Sequence, residues 1–180
     1  MSSTLNMFLS LIADQHPGID NSNLTILDLG CGSGRDTKTF LSKGFQVEAV
    51  DGSEEMCKIA EKNTGHPVIL SSFQNYLPTI KFDGIWACSS LLHLNKEEIH
   101  DVVQKLSTFM NPGACFYMSY KYGDFTGYRN GRYYTDFTED SSKKLFANIS
   151  QLRFHSLIIT NDVRPGRESE KWLNVFYTCR

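Results

Sequence analysis

The stretch Ile26-Leu27-Asp28-Leu29-Gly30-Cys31-Gly32-Ser33-Gly34-Arg35-Asp36 decides the fold. An apolar, β-prone run over residues 24–29 stops at three glycines in alternation, and a helical stretch begins near Arg35. The pattern reads as a strand, a tight glycine turn and a helix N-terminus. Gly30 and Gly32 lack a Cβ, so the turn can take unusual dihedrals and a ligand can come close to the backbone. The unpaired N–H groups of the new helix and its positive dipole end face the same space.

A pyrophosphate-binding dinucleotide site would use a similar turn. Three details point elsewhere. The third glycine falls two residues after the second, an acid (Asp28) precedes the glycines on the strand, and a second acid (Asp51) ends the next strand. Asp51 stands about 20 residues on, where an acidic side chain can hold ribose hydroxyls. The stretch resembles motif I of the class I S-adenosylmethionine (SAM) methyltransferases, an apolar strand followed by D-x-G-x-G-x-G. Asp28, Gly30, Gly32 and Gly34 match that motif in full.

At 180 residues the chain is expected to form one domain with a sizeable core. Hydrophobic content of 41% and charged content of 21% are those of an ordinary globular protein. A net charge of -2 gives no global basic field for nucleic acid or anionic lipid. The five cysteines, Cys31, Cys57, Cys88, Cys115 and Cys179, are scattered and form no CxxC pair. That usage suits a reducing compartment and points to neither a disulfide framework nor a metal site. With no signal peptide and no membrane-length apolar run, a cytoplasmic location without membrane contact is expected.

The chain reads in order as alternating strands and helices. An amphipathic helix within residues 1–23 carries Leu5, Phe8, Leu9 and Ile12 at helical spacing and stops at His16-Pro17-Gly18. It is expected either at the sheet edge or as a lid over the site. The chain begins almost on top of it, which leaves room for a missing N-terminal piece. Residues 24–180 form the expected catalytic core. Strands are expected at 24–29, 45–51, 67–71, 82–88, 114–120, 154–160 and 172–179. Helices are expected at 35–43, 54–63, 96–109 and 139–149. Asn111-Pro112-Gly113 reads as a turn, and residues 121–137 as a long functional loop rich in glycine and aromatics. Too few residues separate the last two strands for a helix, so they should pair as an antiparallel hairpin. The expectation is a doubly wound α/β, Rossmann-like fold with a mostly parallel sheet. The resemblance implies strand order 3-2-1-4-5-7-6 with strand 7 antiparallel.

Ligands of such sheets bind beyond the carboxyl ends of the strands. The resemblance implies SAM as cofactor and S-adenosylhomocysteine as product. Gly30, Cys31 and Gly32, after Asp28, would wrap the methionine part. Asp51 would take both ribose hydroxyls, flanked by Gly52, Ser53 and Met56. Adenine would be read at Ser72, Phe73 and Gln74, where many family members carry an acid and this chain does not. Cys88, Ser89 and Leu92 would line the cofactor from strand four. Arg35 either orients the methionine carboxylate or forms an exposed first-turn pair with Asp36.

Methyl transfer needs alignment, and a base only when a proton must leave the acceptor. His93, just past strand four, is the candidate base, with helix capping as the alternative. A late cluster of cations and aromatics suggests that the acceptor is a small anionic molecule. It comprises Tyr120, Lys121, Arg132, Tyr133, Arg164, Arg167 and Trp172. The resemblance is to stand-alone, small-molecule and tellurite-resistance-like methyltransferases. Ala87-Cys88-Ser89-Ser90 replaces the N-P-P-Y motif used on amino groups of bases and glutamine. The rival readings are an RNA-modifying enzyme of the same fold, a non-catalytic SAM-binding module and an NAD(P)-dependent oxidoreductase.

Overall fold

The computed structural model describes residues 3–167 and 169–180. Residues 1 and 2 of the expected lid, and residue 168 of the last turn, lie outside the described residues. Helix α1 spans Ser3–Gln15. Strand β1 (Thr25–Leu29) leads through the glycine turn into α2 (Arg35–Ser42), then β2 (Gln46–Asp51). Helix α3 (Glu54–Thr64) is capped by Ser53 and ends at Gly65, with φ +67°. Strands β3 (Val68–Leu70) and β4 (Phe82–Ala87) follow. A short 3-10 turn, Leu91–His93, then precedes α4 (Lys96–Ser107). Asn95 and Glu98 form a reciprocal capping box at the start of α4.

Strand β5 runs over Met110–Lys121. Asn111-Pro112-Gly113 therefore lies inside a strand, not in a separate turn. Between the pairs Phe82↔Met110 and Gly84↔Cys115 the register shifts, and Gly113 at φ +81° absorbs the bulge. The expected loop 121–137 is also largely ordered. It holds a hairpin, β6 (Thr126–Arg129) and β7 (Arg132–Thr135), closed by Asn130-Gly131 with φ of 49° and 77°. Both central residues are left-handed, as an Asn-Gly hairpin turn requires. Helix α5 (Glu139–Phe146) ends earlier than expected, and β8 (Leu152–Asn161) and β9 (Lys171–Cys179) close the chain.

The main sheet has seven strands in the order β3-β2-β1-β4-β5-β9-β8. Once the extra hairpin is discounted, this is the expected order. β1 to β5 pair in parallel, and β9 runs antiparallel to both neighbours.

Side-chain alternation splits the sheet into two faces. Leu27, Leu29, Ile85, Ala87, Phe116, Met118, Tyr120, Leu173 and Val175 pack with α4 and α5 residues in one core. Ile26, Trp86, Cys115, Tyr117 and Phe176 pack with α1 and α2 on the other. Helix α1 thus covers the middle of the sheet and does not sit at its edge. Phe8 and Ile12 rest directly on Gly84, where an added Cβ would lie 2.6 Å from each of them. Trp86 stacks on Tyr117 at 3.8 Å and touches Phe8 and Phe40. Among the described residues no helix is long and apolar enough to cross a membrane.

The contact at Gly84 is testable. Gly84→Ala pushes two fully buried side chains, so urea unfolding should show a loss of about 1–3 kcal/mol. Adding Phe8→Ala should make the Gly84→Ala cost smaller than in the wild-type background, the sign of direct contact.

Candidate active site

The site is built where β1, β2 and β4 end. Gly30 and Cys31 donate their amides to the Val50 carbonyl at 2.8 and 3.0 Å, which folds the turn back over β2. Gly30 has φ +79°, and a Cβ there would stand 2.4 Å from Ser90 Cβ and 3.2 Å from the Phe73 ring. No side chain fits. Gly32, at φ +56°, has nothing within 4 Å of its absent Cβ, so its free face opens to a ligand. The Gly32 amide donates to Asp51 Oδ2 at 2.8 Å, and the Ser53 amide donates to Asp51 Oδ1 at 2.9 Å. The acid is thus fixed in place with lone pairs left over.

A cleft of about 270 Å³ is lined by Asp28, Gly30, Cys31, Gly32, Ser33, Arg35, Asp36, Cys88 and Ser89. Asp28 is buried and accepts from the Thr37 hydroxyl at 2.5 Å. Burial pushes its carboxyl up to about 7, against the Thr37 hydrogen bond. Arg35 and Asp36 form a two-pronged pair at 2.8 and 2.9 Å. Asp36 also accepts from Trp86 Nε1 at 2.9 Å, so its side chain is 13% exposed and that of Arg35 is 77%. The first-turn pair is therefore real, and Arg35 still borders the cleft. Burial raises the Cys31 and Cys88 thiols, so neither is a ready thiolate beside the site.

Ser89 holds a left-handed φ of 54°, rare for a side-chain-bearing residue. Its amide donates to Ser119 Oγ at 2.8 Å, which ties the end of β4 to β5. A second cleft, of about 350 Å³, shares Arg35, Cys88 and Ser89 with the first. Its other walls include Thr4, Tyr117, Ser119, Asp162, Arg164, Trp172 and Asn174. The structure brings the expected Arg164 and Trp172 to this wall. Thr4, Tyr117, Ser119 and Asn174 were not anticipated.

Other expected residues fall elsewhere. Ser53 and Met56 lie at the open start of α3, and Met56 is 39% exposed rather than in the core. Ser72 is exposed beside Phe73, whose ring abuts Gly30. Leu92 is 1% exposed and belongs to the core under α4. Tyr120 is fully buried against Phe137. It lies two residues after Met118, on the sheet face away from the clefts.

The cations are also less available than their number in the sequence suggests. Lys121 Nζ meets Asp162 Oδ2 at 3.0 Å and also Glu170, and sits 4.2 Å from the Trp172 ring centre. Arg164 clamps Asp162 through its Nε and Nη2 and by its own amide, and Trp172 Nε1 donates to the same carboxylate at 3.0 Å. These donors, Arg164 first, hold the Asp162 carboxyl far below the usual carboxylate range. Arg167 approaches Glu170 at 3.9 Å.

His93, Tyr133 and the hairpin form a separate pocket of about 310 Å³, with Leu94, Asn95, Glu98 and Tyr128. Arg132 is exposed at the hairpin turn. His93 Nδ1 lies 2.9 Å from the Tyr133 carbonyl. A carbonyl only accepts, so Nδ1 carries the proton and Nε2 is left as the basic position.

Residues 26–113 match a family model described as a methyltransferase domain. An uncharacterized methyltransferase of Alkaliphilus oremlandii is 32% identical over 110 residues, covering 61% of this chain and 48% of that protein. Phosphoethanolamine N-methyltransferase 3 of Arabidopsis thaliana is 30% identical over 130 residues, 62% of this chain and 26% of that one. The chain spans about half the length of the first curated relatives it matches. Among solved structures, magnesium protoporphyrin IX methyltransferase from Synechocystis with bound S-adenosylhomocysteine superposes with a TM-score of 0.75 at 16% identity. The match covers 99% of this chain and 82% of that one. A SAM-dependent methyltransferase from Clostridium acetobutylicum gives a TM-score of 0.72 at 16% identity, covering 98% and 91%. Residues 26–113 are thus similar to a methyltransferase domain, and the chain has the fold of these S-adenosylmethionine-dependent methyltransferase structures.

Proposed function

We propose that this protein transfers the methyl group of SAM to a small-molecule acceptor. One observation carries the reading: the glycine-turn cleft and the second cleft meet at Arg35, Cys88 and Ser89. A cofactor in the first and an acceptor in the second would face each other across the end of β4. The residues present fit the cofactor. Gly32 offers open backbone, Asp51 offers a carboxylate for ribose hydroxyls, and Asp28 offers one for an ammonium group. Phe73 offers a ring beside Gly30 for a base.

The bound sulfonium supplies an activated methyl group. The chain's part is to align the acceptor and exclude competing nucleophiles. Raised cysteine pKa values keep Cys31 and Cys88 as thiols, so they compete poorly for a methyl group. His93 Nε2 is the base this chain offers to an acceptor that must lose a proton, one reaching from the shared wall toward the hairpin. The five cysteines are all unpaired, which suits the cytoplasm.

Lys121, Arg167, Arg164 and Arg35 all pair with carboxylates of this chain, but only Arg164 and Arg35 line the second cleft, with side chains 52% and 77% exposed, so the anionic group of the acceptor falls to them. An RNA acceptor has weaker support. The hairpin tyrosines could stack on bases, but no other observation favours nucleic acid.

Titration calorimetry should show SAM and S-adenosylhomocysteine binding at micromolar Kd, with no comparable NAD binding. Asp51→Ala should weaken both by more than about ten-fold, since it removes the ribose acceptor and frees the Gly32 amide. Absent binding by folded wild-type protein would sink the reading.

Asp28 gives a pH dependence. Its folded pKa lies near 7, so below that value binding an ammonium group must displace a proton. Affinity for S-adenosylhomocysteine should therefore rise from pH 6 to pH 8, and Asp28→Asn should flatten the profile. Without ligand the sign reverses. The folded carboxyl keeps a proton that the unfolded chain has already lost. The Asp28 contribution to stability should therefore fall as pH rises from about 4 to about 7.

Once an acceptor is found by screening anionic metabolites, Arg164→Ala should raise its KM several-fold and leave the S-adenosylhomocysteine Kd unchanged. An unchanged KM would remove the anionic acceptor.

A further inference from the structure

Three carbonyls of the segment after β3 converge on one ammonium group. Lys105 Nζ, in the last turn of α4, donates to the carbonyls of Phe73, Gln74 and Tyr76 at 3.0, 2.8 and 2.7 Å. An ammonium has three donors, and all three go to this loop. The loop is itself a single turn. The Tyr76 amide donates to the Ser72 carbonyl at 2.9 Å and the Asn75 amide to the Ser72 hydroxyl at 3.3 Å. Its outward carbonyls resemble a helix C-terminus, where a cation is favoured. Burial lowers the Lys105 pKa, so the ammonium is partly stripped of water where its bonds count most.

A second grip lies two turns earlier on the same helix. The Gln74 side-chain amide donates to Glu98 Oε1 at 3.1 Å, while Glu98 also caps α4. Residues 98 and 105 share one helical face. The loop is thus laid along α4 on one side and pressed against Gly30 through the Phe73 ring on the other.

We infer that Lys105 is a positioning residue for the adenine half of the cofactor. The inference rests on the SAM reading above. Ser72, Phe73, Gln74 and Asn75 include no acid, so adenine is met by loop backbone and the Phe73 ring. Those groups stand where Lys105 holds them, and their height over Gly30 sets the fit of the base.

The test uses the intact chain with two probes, S-adenosylhomocysteine and S-inosylhomocysteine, which differ only on the purine. In wild-type protein, S-adenosylhomocysteine should slow amide hydrogen exchange over residues 73–76. In Lys105→Met, exchange there should be faster without ligand, and the S-adenosylhomocysteine Kd should rise about ten-fold. The preference for the adenosyl over the inosyl probe should shrink by a similar factor. Equal losses for both probes would mark Lys105 as merely structural and overturn the assignment. So would wild-type affinity in a folded Lys105→Met. If that variant does not fold, the wild-type exchange decides, because binding without protection of residues 73–76 also overturns it. Failure of wild-type protein to bind either probe would instead remove the cofactor reading itself.

Discussion

No side chain fits at Gly30, and the arrangement of the site follows from that. The end of β1 turns with φ +79° directly against Ser90 and the Phe73 ring. Three segments from different parts of the chain, the glycine turn, the loop after β3 and the loop after β4, therefore meet at one Cα. Gly34 does the same for the helices. A Cβ there would fall 2.7 Å from Thr64 and 3.1 Å from Ala60, so α2 and α3 can pack only because it is absent. Gly32 differs from both, since nothing protein-made fills its open face. Two of the three glycines serve packing and the third leaves open space, although the motif writes them identically.

Charge is arranged by depth. Near the turn, Asp28 and Asp51 take neutral donors, and Asp36 alone of the cleft's carboxylates takes a cation, Arg35. Asp28 takes a threonine hydroxyl, and Asp51 takes two backbone amides. Further out, Asp162 gathers Lys121, Arg164 and Trp172, and Asp136 takes Arg129 through a two-pronged pair. The inner carboxylates keep capacity for a cationic or hydroxyl-bearing ligand. Of the outer ones, Asp162 ties the segment after β8 to the ends of β5 and β9, and Asp136 clamps the base of the hairpin to β6. Breaking such a buried pair from one side leaves an uncompensated charge, so these pairs fix loop geometry more than they add net stability.

The sheet and the glycine-turn cleft were legible because their signals are local. Strand–glycine–helix spacing, the acids near the ends of the first two strands and the short last connection are each read within a short stretch. The acceptor side was not, because a cation in a sequence does not declare its partner. Lys121 and Asp162 are 41 residues apart. Some misses had a readable signal. Met118 and Tyr120 share a strand face, so alternation alone puts Tyr120 in the core and Tyr117 and Ser119 on the cleft side. Asn130-Gly131 between short aromatic runs is a hairpin signature, and it was absorbed into a long loop. Lys105 had no such signal. In the sequence it is one more lysine at a helix end.

The fold is shared with structures only 16% identical to this chain. Its connecting segments gather at one end of the sheet. The hairpin, the 162–171 turn and the N-terminus of α1 all reach the carboxyl edge of β4 and β5 from different directions. The hairpin and the turn are anchored there by specific contacts: His93 holds Tyr133, Thr135 holds the Leu94 carbonyl and Lys121 holds Asp162, while α1 is seated lower, by Phe8 over Gly84 in the body of β4. A rigid sheet holds these anchors at fixed separations, so the volume of the clefts is set by loop identity and not by strand geometry. The glycine-turn cleft could therefore be read from one stretch, whereas the second cleft draws its walls from α1, the ends of β4 and β5 and the segment before β9, which no single stretch of sequence encodes together.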